Sequence, residues 1–307
     1  MFVVCDRNVA RHLGMLGLDS YPVKSICASE EQKTLESVTG ICRWLLEQEA
    51  DRNALLVAVG GGITTDIAGF AACIYKRGIR YANVPTTLLG QVDAGHGGKT
   101  GVNLDSYKNM LGVIRKPEFT HIDVRTLETL PEEEFIAGSA EMLKTFIICN
   151  EGDNYGKAVD LLSSDRRRTD METLGELIRA AASVKEGIVE RDLMENGERK
   201  MLNLGHTYAH AIEWYEHTAS VEHPLSHGKA VAVGMICAAR LSEGLGVAEK
   251  GLAERLTADF RACRLPVELP YDKALLENAI RKDKKAEGGK VNFVLIERIG
   301  KVTVRKI

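Results

Sequence analysis

Over the first 130 residues or so, short β-rich apolar runs alternate with stretches of helical periodicity. Phe2–Cys5, Ala54–Val59 and Tyr81–Val84 read as strands, the last closed by Pro85, with helices over 30–49 and 65–75 between them. This alternation predicts a parallel sheet with helices on its faces. From Glu132 onward the pattern changes to long helical periods over 132–149, 171–190, 203–216, 228–245 and 249–263. The run Pro131-Glu132-Glu133-Glu134 suits a helix start, with proline and acids in the first turn. Val291–Glu297 and Val302–Val304 form a hairpin-like end around Gly300. The expected architecture is an α/β domain over residues 1–129 followed by a mostly α-helical domain over 130–307.

Composition narrows the function classes. A chain of 307 residues is long enough for two cores. Its net charge of -3 gives no electrostatic case for nucleic acid or an anionic membrane as partner. No segment approaches the roughly 18 consecutive apolar residues of a membrane span. The start, Met1-Phe2-Val3-Val4-Cys5-Asp6, lacks the basic and long apolar regions of a signal peptide. Seven scattered cysteines without a Cys-x-x-Cys pair point to reduced thiols in a cytoplasmic protein.

Three constellations carry candidate chemistry. Gly60-Gly61-Gly62, between a strand and a helix, lets backbone N–H groups approach a phosphate at a helix N-terminus. A tight turn without a ligand is the alternative, and Asp66 either meets a ligand or supports the helix's first turn. The second is Pro85-Thr86-Thr87, running into Asp93 and the loop Gly97-Gly98-Lys99-Thr100-Gly101, with Lys108-Asn109 beyond. Flexible N–H donors and cationic tips suit an anion, against the alternative of a plain surface loop. The third is the richest: five of the eight histidines lie between 206 and 227. Arg199, Asn203, His206 and His210 fall on one face if the helix runs through them all. His206 and His210 then form a His-x-x-x-His metal pair, with His227 as a further imidazole. Glu141 and Lys144 add a carboxylate and a cation one turn apart. Two imidazoles and a carboxylate would leave a catalytic metal an open position. A solvated face with a local ion pair is the alternative.

In order and combination these blocks resemble the 3-dehydroquinate synthase family. The matching runs include Gly60-Gly61-Gly62-x3-Asp66, Pro85-Thr86-Thr87-Leu88-Leu89, Gly97-Gly98-Lys99-Thr100-Gly101-Val102-Asn103, Lys108-Asn109 and Thr129-Leu130-Pro131. Ala140-Glu141-x2-Lys144, Arg199-x2-Leu202-Asn203-x-Gly205-His206-Thr207-x2-His210-Ala211-x-Glu213 and His227-Gly228 continue them. The resemblance implies a Rossmann-like NAD domain, a helical metal and substrate domain, and an active site in the cleft between them. It implies a divalent metal, Zn2+ or Co2+, on Glu141, His206 and His227, and so moves His210 from the metal to the substrate. NAD contacts would come from Asp6, Glu30, Lys33, Gly61, Gly62, Asp66, Thr86, Thr87, Asp93, Lys108 and Thr129. Asp93 also matches a substrate contact, together with Lys99, Lys108, Asn109, Lys144, Lys185, Arg199, Asn203, His210 and Lys284 (or Lys285 beside it). Arg77 would reach the phosphate across a homodimer interface.

The implied reaction converts 3-deoxy-D-arabino-heptulosonate 7-phosphate to 3-dehydroquinate and phosphate, a step of aromatic amino acid biosynthesis. It proceeds by transient oxidation, phosphate elimination, re-reduction and intramolecular aldol closure, with no net redox. Cyclases acting on sedoheptulose 7-phosphate or glucose 6-phosphate, and iron-type polyol dehydrogenases, are the alternatives. Lys144, Lys185, Arg199, Asn203 and His210 keep the dehydroquinate-type identities.

Two departures stand out. Family members usually carry several tens of residues before the strand that Phe2–Cys5 matches, which predicts a more exposed sheet edge here. Gly95-His96 replaces a common serine and aliphatic pair. That predicts a more mobile loop, an extra contact near the phosphate, or no consequence.

Overall fold

The structure, a computed structural model, describes residues 1–105, 107–269, 271–272, 275–276 and 291–307. Lys284 and Lys285 lie outside the described residues. The chain divides into two compact units, Met1–Pro131 and Glu132–Ile307.

The first unit contains β1 (Phe2–Asp6), β2 (Val23–Ile26), α1 (Leu35–Glu47), β3 (Leu55–Gly60), α2 (Gly62–Ile74) and β4 (Arg80–Pro85). A hairpin of β5 (Lys99–Leu104) and β6 (Tyr107–Ile114) follows. The four main strands pair in parallel in the order β2-β1-β3-β4. Both faces of the sheet are covered. Val4, Leu56 and Ala58 point to one core with Ile41, Leu45, Ile67 and Phe70, whereas Val3, Cys5, Val57 and Val59 point to another with Leu13. Burial on both faces explains why Leu55–Val59 is a continuous apolar run, without alternating polar positions. The edge strand β2 alternates exposed and half-buried residues.

Three expectations need correction in this unit. The helix expected over 30–49 splits, because Thr34 is extended and caps α1 by accepting a hydrogen bond from the Ser37 N–H at 3.3 Å. Glu30–Gln32 forms only a short 3-10 turn. The helix expected from 65 begins at Gly62, directly on the glycine run. Lys99-Thr100-Gly101, expected within a loop, opens β5 and pairs antiparallel with Gly112–Ile114.

The second unit contains α3 (Glu132–Ile148), α4 (Asn154–Ser163), α5 (Met171–Arg191), α6 (His206–Thr218), α7 (His227–Gly244) and α8 (Leu252–Ala262). The antiparallel pair β7 (Asn292–Arg298) and β8 (Lys301–Lys306) follows. Every residue of α3 from Phe135 to Ile148 is buried, as is every residue of α7 from Ala230 to Ala239. Helices hydrophobic all round belong in a core, and these two pack on each other. The polar groups buried on them therefore need a reason.

The helix expected over 203–216 starts only at His206. Gly205 takes a left-handed conformation (φ 80°), and Arg199 and Asn203 sit in a separate 3-10 turn over Glu198–Asn203. The four polar residues therefore do not share one helix face.

Gly205 also sets how closely α7 can pass. A Cβ on Gly234 would lie 2.1 Å from the Gly205 carbonyl oxygen, and one on Gly228 would lie 1.9 Å from that of Ala137 in α3. Alanine at 234 would gain up to about 1 kcal/mol of helix propensity. It would also collide with backbone that cannot swing away, an overpacking penalty of about 1–3 kcal/mol. Gly234→Ala is therefore expected to lower the thermal midpoint by several degrees in a calorimetric melt. An unchanged or raised midpoint would contradict this packing.

Candidate functional site

In the second unit, three side chains from three helices converge. Glu141 lies in the middle of α3, while His206 and His227 are the first residues of α6 and α7. One ligand atom from each lies within 4.8 Å of the other two, which makes the group a possible metal site. The Glu141 carboxylate is fully buried, and neither oxygen accepts a hydrogen bond of good geometry. Its charge is met by an ion pair to Lys144, itself buried one turn along α3. His227 Nε2 lies 3.8 Å from Glu141 Oε1. A buried carboxylate with under-used oxygens, beside two imidazoles, fits a divalent cation.

The two imidazoles are held by different partners and shifted in opposite directions. His206 Nδ1 lies 3.1 Å from the Leu204 carbonyl oxygen. A carbonyl only accepts, so Nδ1 carries the proton and Nε2 keeps its lone pair. Burial, then the charges of Lys144, His227 and His210, push the His206 pKa well below its ordinary value. The ring is thus neutral, the form that binds metal. For His227, burial opposes the charged ring. The hydrogen bond that the ring donates to Glu213 and the charges of Glu141 and Glu213 outweigh that opposition, and its pKa rises.

His210 stands beside this group rather than in it. It is exposed, with its ring edge-on to His206 at 5.5 Å between centroids. The pairing of His206 with His210 as two ligands, expected from spacing alone, is thus replaced by a group that takes His227.

Arg199 is buried in its turn. Its side chain donates to the Leu193 carbonyl at 2.7 Å, and its N–H donates to Asp192 Oδ2 at 2.9 Å. Burial opposes the Asp192 carboxylate, but N–H donors from Arg199, Gly197 and Asn196 hold its pKa below the ordinary range. Asn203 donates to Glu195 Oε1 at 2.5 Å, and Lys185 is buried on α5.

In the first unit, a second group forms around Lys33. Its Nζ donates at 2.6 Å both to Asp66 Oδ2 and to Asn109 Oδ1. Asn103 braces both sides of this group. Its amide donates to Glu30 Oε1 at 2.8 Å, and its Oδ1 accepts the Asn109 N–H, also at 2.8 Å. Asn109 needs the support, since its φ of 56° is unusual for a residue with a side chain. Close by in sequence, α2 opens on Gly61 with no side chain capping its first N–H groups, as an anion-binding helix end requires. Thr86 donates its N–H to the Gly60 carbonyl at 2.9 Å, and its buried hydroxyl has no protein partner. Thr87 Oγ1 accepts the Gly90 N–H at 3.0 Å, and Asp6 caps its own turn by accepting from Asn8 at 3.1 Å. Thr129 Oγ1 lies 2.8 Å from His12 Nε2. Lys99 and Lys108 are exposed on the β5–β6 hairpin, and Asp93 lies in the turn before it. These residues and orphaned groups suit a nucleotide with its phosphates.

His96 turns inward. The ring is buried and Nε2 bonds the Gln91 carbonyl at 2.9 Å, while Asn83 and Thr120 both donate to the Gly95 carbonyl. A Cβ on Gly95 would lie 2.7 Å from the Gly90 oxygen, so the glycine belongs to this tight turn. The pair therefore anchors the loop.

Burial pushes up the thiols of Cys5, Cys42, Cys73 and Cys149, and that of Cys263 to about 12. None of these five is an activated nucleophile. Glu213, Glu216, Asn103 and Glu195 all bear on the site, yet only the first and third stood inside motif blocks, with no role attached. Glu216 is buried and accepts the Leu225 N–H at 3.1 Å, pinning the loop that delivers His227.

The 3-dehydroquinate synthase N-terminal family matches residues 23–137, and the 3-dehydroquinate synthase C-terminal family matches 138–286. The chain belongs to the 3-dehydroquinate synthase family. A 3-dehydroquinate synthase from Campylobacter concisus is 39% identical over 305 residues, covering 98% of this chain and 85% of the relative. Among solved structures, the 2-epi-5-epi-valiolone synthase ValA from Streptomyces hygroscopicus, with NAD+ and Zn2+ bound, is 28% identical with a TM-score of 0.85. That likeness covers all of this chain and 86% of ValA. A 2-deoxy-scyllo-inosose synthase complexed with carbaglucose-6-phosphate, NAD+ and Co2+ is 26% identical, with a TM-score of 0.86 over 100% of this chain and 87% of that one. The expected fold class, Rossmann-like α/β with a helical C-terminal part, is that of these cyclases. No helix among the described residues is long and apolar enough to cross a membrane.

Proposed function

We propose that this chain is a 3-dehydroquinate synthase, turning 3-deoxy-D-arabino-heptulosonate 7-phosphate into 3-dehydroquinate and phosphate. The observation that carries the reading is the near-complete match to a relative of that name, at 39% identity against 28% and 26% for the two other cyclases. The convergence of Glu141, His206 and His227 supplies chemistry to match.

Residues 1–129 form the NAD-binding domain, and residues 130–307 the metal- and substrate-binding domain. When bound, NAD+ takes up and returns a hydride, and the Zn2+ or Co2+ polarises the substrate oxygens beside the reacting carbons. Glu141, His206 and His227 would hold the metal. Asp6, Glu30, Lys33, Asp66, Thr86, Thr87, Asp93, Lys108 and Thr129 would hold the nucleotide, and the N–H groups of Gly61 and Gly62 would serve its phosphates. Lys99, Lys108, Lys144, Lys185 and Arg199 meet the two anionic ends of the substrate, and Asn109 and Asn203 bind its hydroxyls. Burial strengthens the field of Lys144 and Arg199. His210 offers a ring nitrogen to a substrate hydroxyl, beside the metal but not on it. Holding every group in place is the main catalytic contribution of such a site.

The enzyme works in the cytoplasm as a homodimer, with Arg77 serving the neighbouring subunit's site. Arg77 is exposed, and it and Lys76 both adopt left-handed backbone (φ 68° and 48°). Two such residues in succession are costly, and strain of this kind collects at functional sites. They line a shallow depression with Asp51, Arg52 and Ile74.

Incubating the protein with the heptulosonate phosphate, NAD+ and Zn2+ or Co2+ is expected to release phosphate and dehydroquinate in equal amounts. Sedoheptulose 7-phosphate and glucose 6-phosphate should not be turned over. No dehydroquinate from folded, metal-loaded protein would overturn the reading. For the dimer, co-refolding Arg77→Ala with His227→Ala should restore activity that neither variant has alone. Mixed dimers without activity would contradict an arginine acting across the interface.

A further inference from the structure

We infer that Glu213 is a positioning residue for the metal, acting through the His227 ring. This rests on the reading of Glu141, His206 and His227 as the ligands and adds a fourth residue, with a distinct task, behind them.

The geometry starts on α6. His206, His210 and Glu213 are spaced i, i+4 and i+7, so they lie along one face of the helix. The chain then leaves α6, turns through residues 219–226 and returns to place His227 opposite that face, at the start of α7. There Glu213 Oε1 lies 3.4 Å from His227 Nδ1, while His227 Nε2 lies 3.8 Å from Glu141 Oε1. The two nitrogens sit on opposite sides of the imidazole, so Glu213 is behind the ring and Glu141 before it. A carboxylate only accepts, so the contact places a proton on Nδ1, which makes Nε2, on the side of Glu141 and His206, the nitrogen that would serve a metal.

His206 has the corresponding support from a backbone carbonyl, that of Leu204 at 3.1 Å. The two imidazoles are thus held by different means, and only the support of His227 can be removed by changing a side chain. The Glu213 side chain is 13% exposed, against 37% for the His227 ring it backs. It is therefore largely shielded from water, which would otherwise weaken the contact.

A carboxylate behind a ligating histidine orients the ring and raises its basicity, and its loss weakens metal affinity by about 10–100-fold. Glu213→Ala and Glu213→Gln, each full length and stripped of metal, would be titrated with Zn2+ against a chromophoric chelator and then loaded with Co2+ for visible spectroscopy. Glu213→Ala is expected to bind Zn2+ about 10–100-fold more weakly and to shift the Co2+ d–d bands, because the His227 ring is free to rotate. Glu213→Gln keeps an acceptor of the same shape without the charge. It should lose less affinity than Glu213→Ala and keep the wild-type Co2+ bands, whereas a general packing role would leave it with full wild-type affinity.

Wild-type Zn2+ affinity in Glu213→Ala would overturn the inference. If that variant fails to fold, Glu213→Gln decides: reduced affinity supports the inference, and unchanged affinity overturns it. His227→Ala serves as the separate check on the ligand assignment. If it binds Zn2+ like wild type, the reading of the site fails; if it loses the metal while both Glu213 variants keep it, only the inference about Glu213 fails.

Discussion

In the helical unit, the chemistry depends on how closely α7 can approach its neighbours. Gly228 lies against the Ala137 carbonyl of α3, and Gly234 lies against the carbonyl of Gly205, immediately before α6. With side chains at those points the backbones would stand apart. The approach of Glu141, His206 and His227, each on a different helix, would loosen with them. The same closeness buries Glu141 completely. A carboxylate in such a place is costly unless its charge is matched, and Lys144 on the next turn of α3 supplies one partner. The under-used oxygens facing two imidazoles are the reason a cation fits there. Packing, charge and ligand geometry thus follow from one constraint on helix separation.

The α/β unit rests on a different device. Lys33 draws Asp66 on α2 and Asn109 on β6 to one ammonium group, and Asn103 ties Glu30 and Asn109 to each other. Residues expected to touch NAD and residues expected to touch substrate are therefore joined by direct hydrogen bonds within the same unit. A ligand that engages Lys33 would meet an ammonium group already shared with Asn109. The start of α2, where Gly61 makes no side-chain cap, adds N–H groups of the kind that suit an anion.

Much of this was legible in the sequence because local pattern decides it. The continuous run Leu55–Val59 marks a strand buried on both faces, and the acids at 132–134 mark the start of α3. What pattern could not supply were features set by chain reversals and by single backbone angles. Periodicity carried a helix through Gly205, whose left-handed conformation puts Arg199 and Asn203 in a separate turn. Spacing paired His206 with His210, because nothing in a helical period tells which imidazole a distant helix start will face. The resemblance, which carries positional information that period lacks, named His227. The β5–β6 hairpin was hidden by its glycines, which read as loop but here let two strands approach. The Gly95-His96 pair, open to several readings in sequence, became an inward anchor once the Gln91 carbonyl was found beside the ring.

The most direct test of the account is anomalous diffraction at the zinc edge from crystals grown with Zn2+. The account predicts a single strong peak per chain, at about 2.0–2.2 Å from an oxygen of Glu141 and from Nε2 of His206 and His227. His210 and Glu213 would lie outside that radius. No peak at this position, or a peak that takes His210 in place of His227, would contradict it.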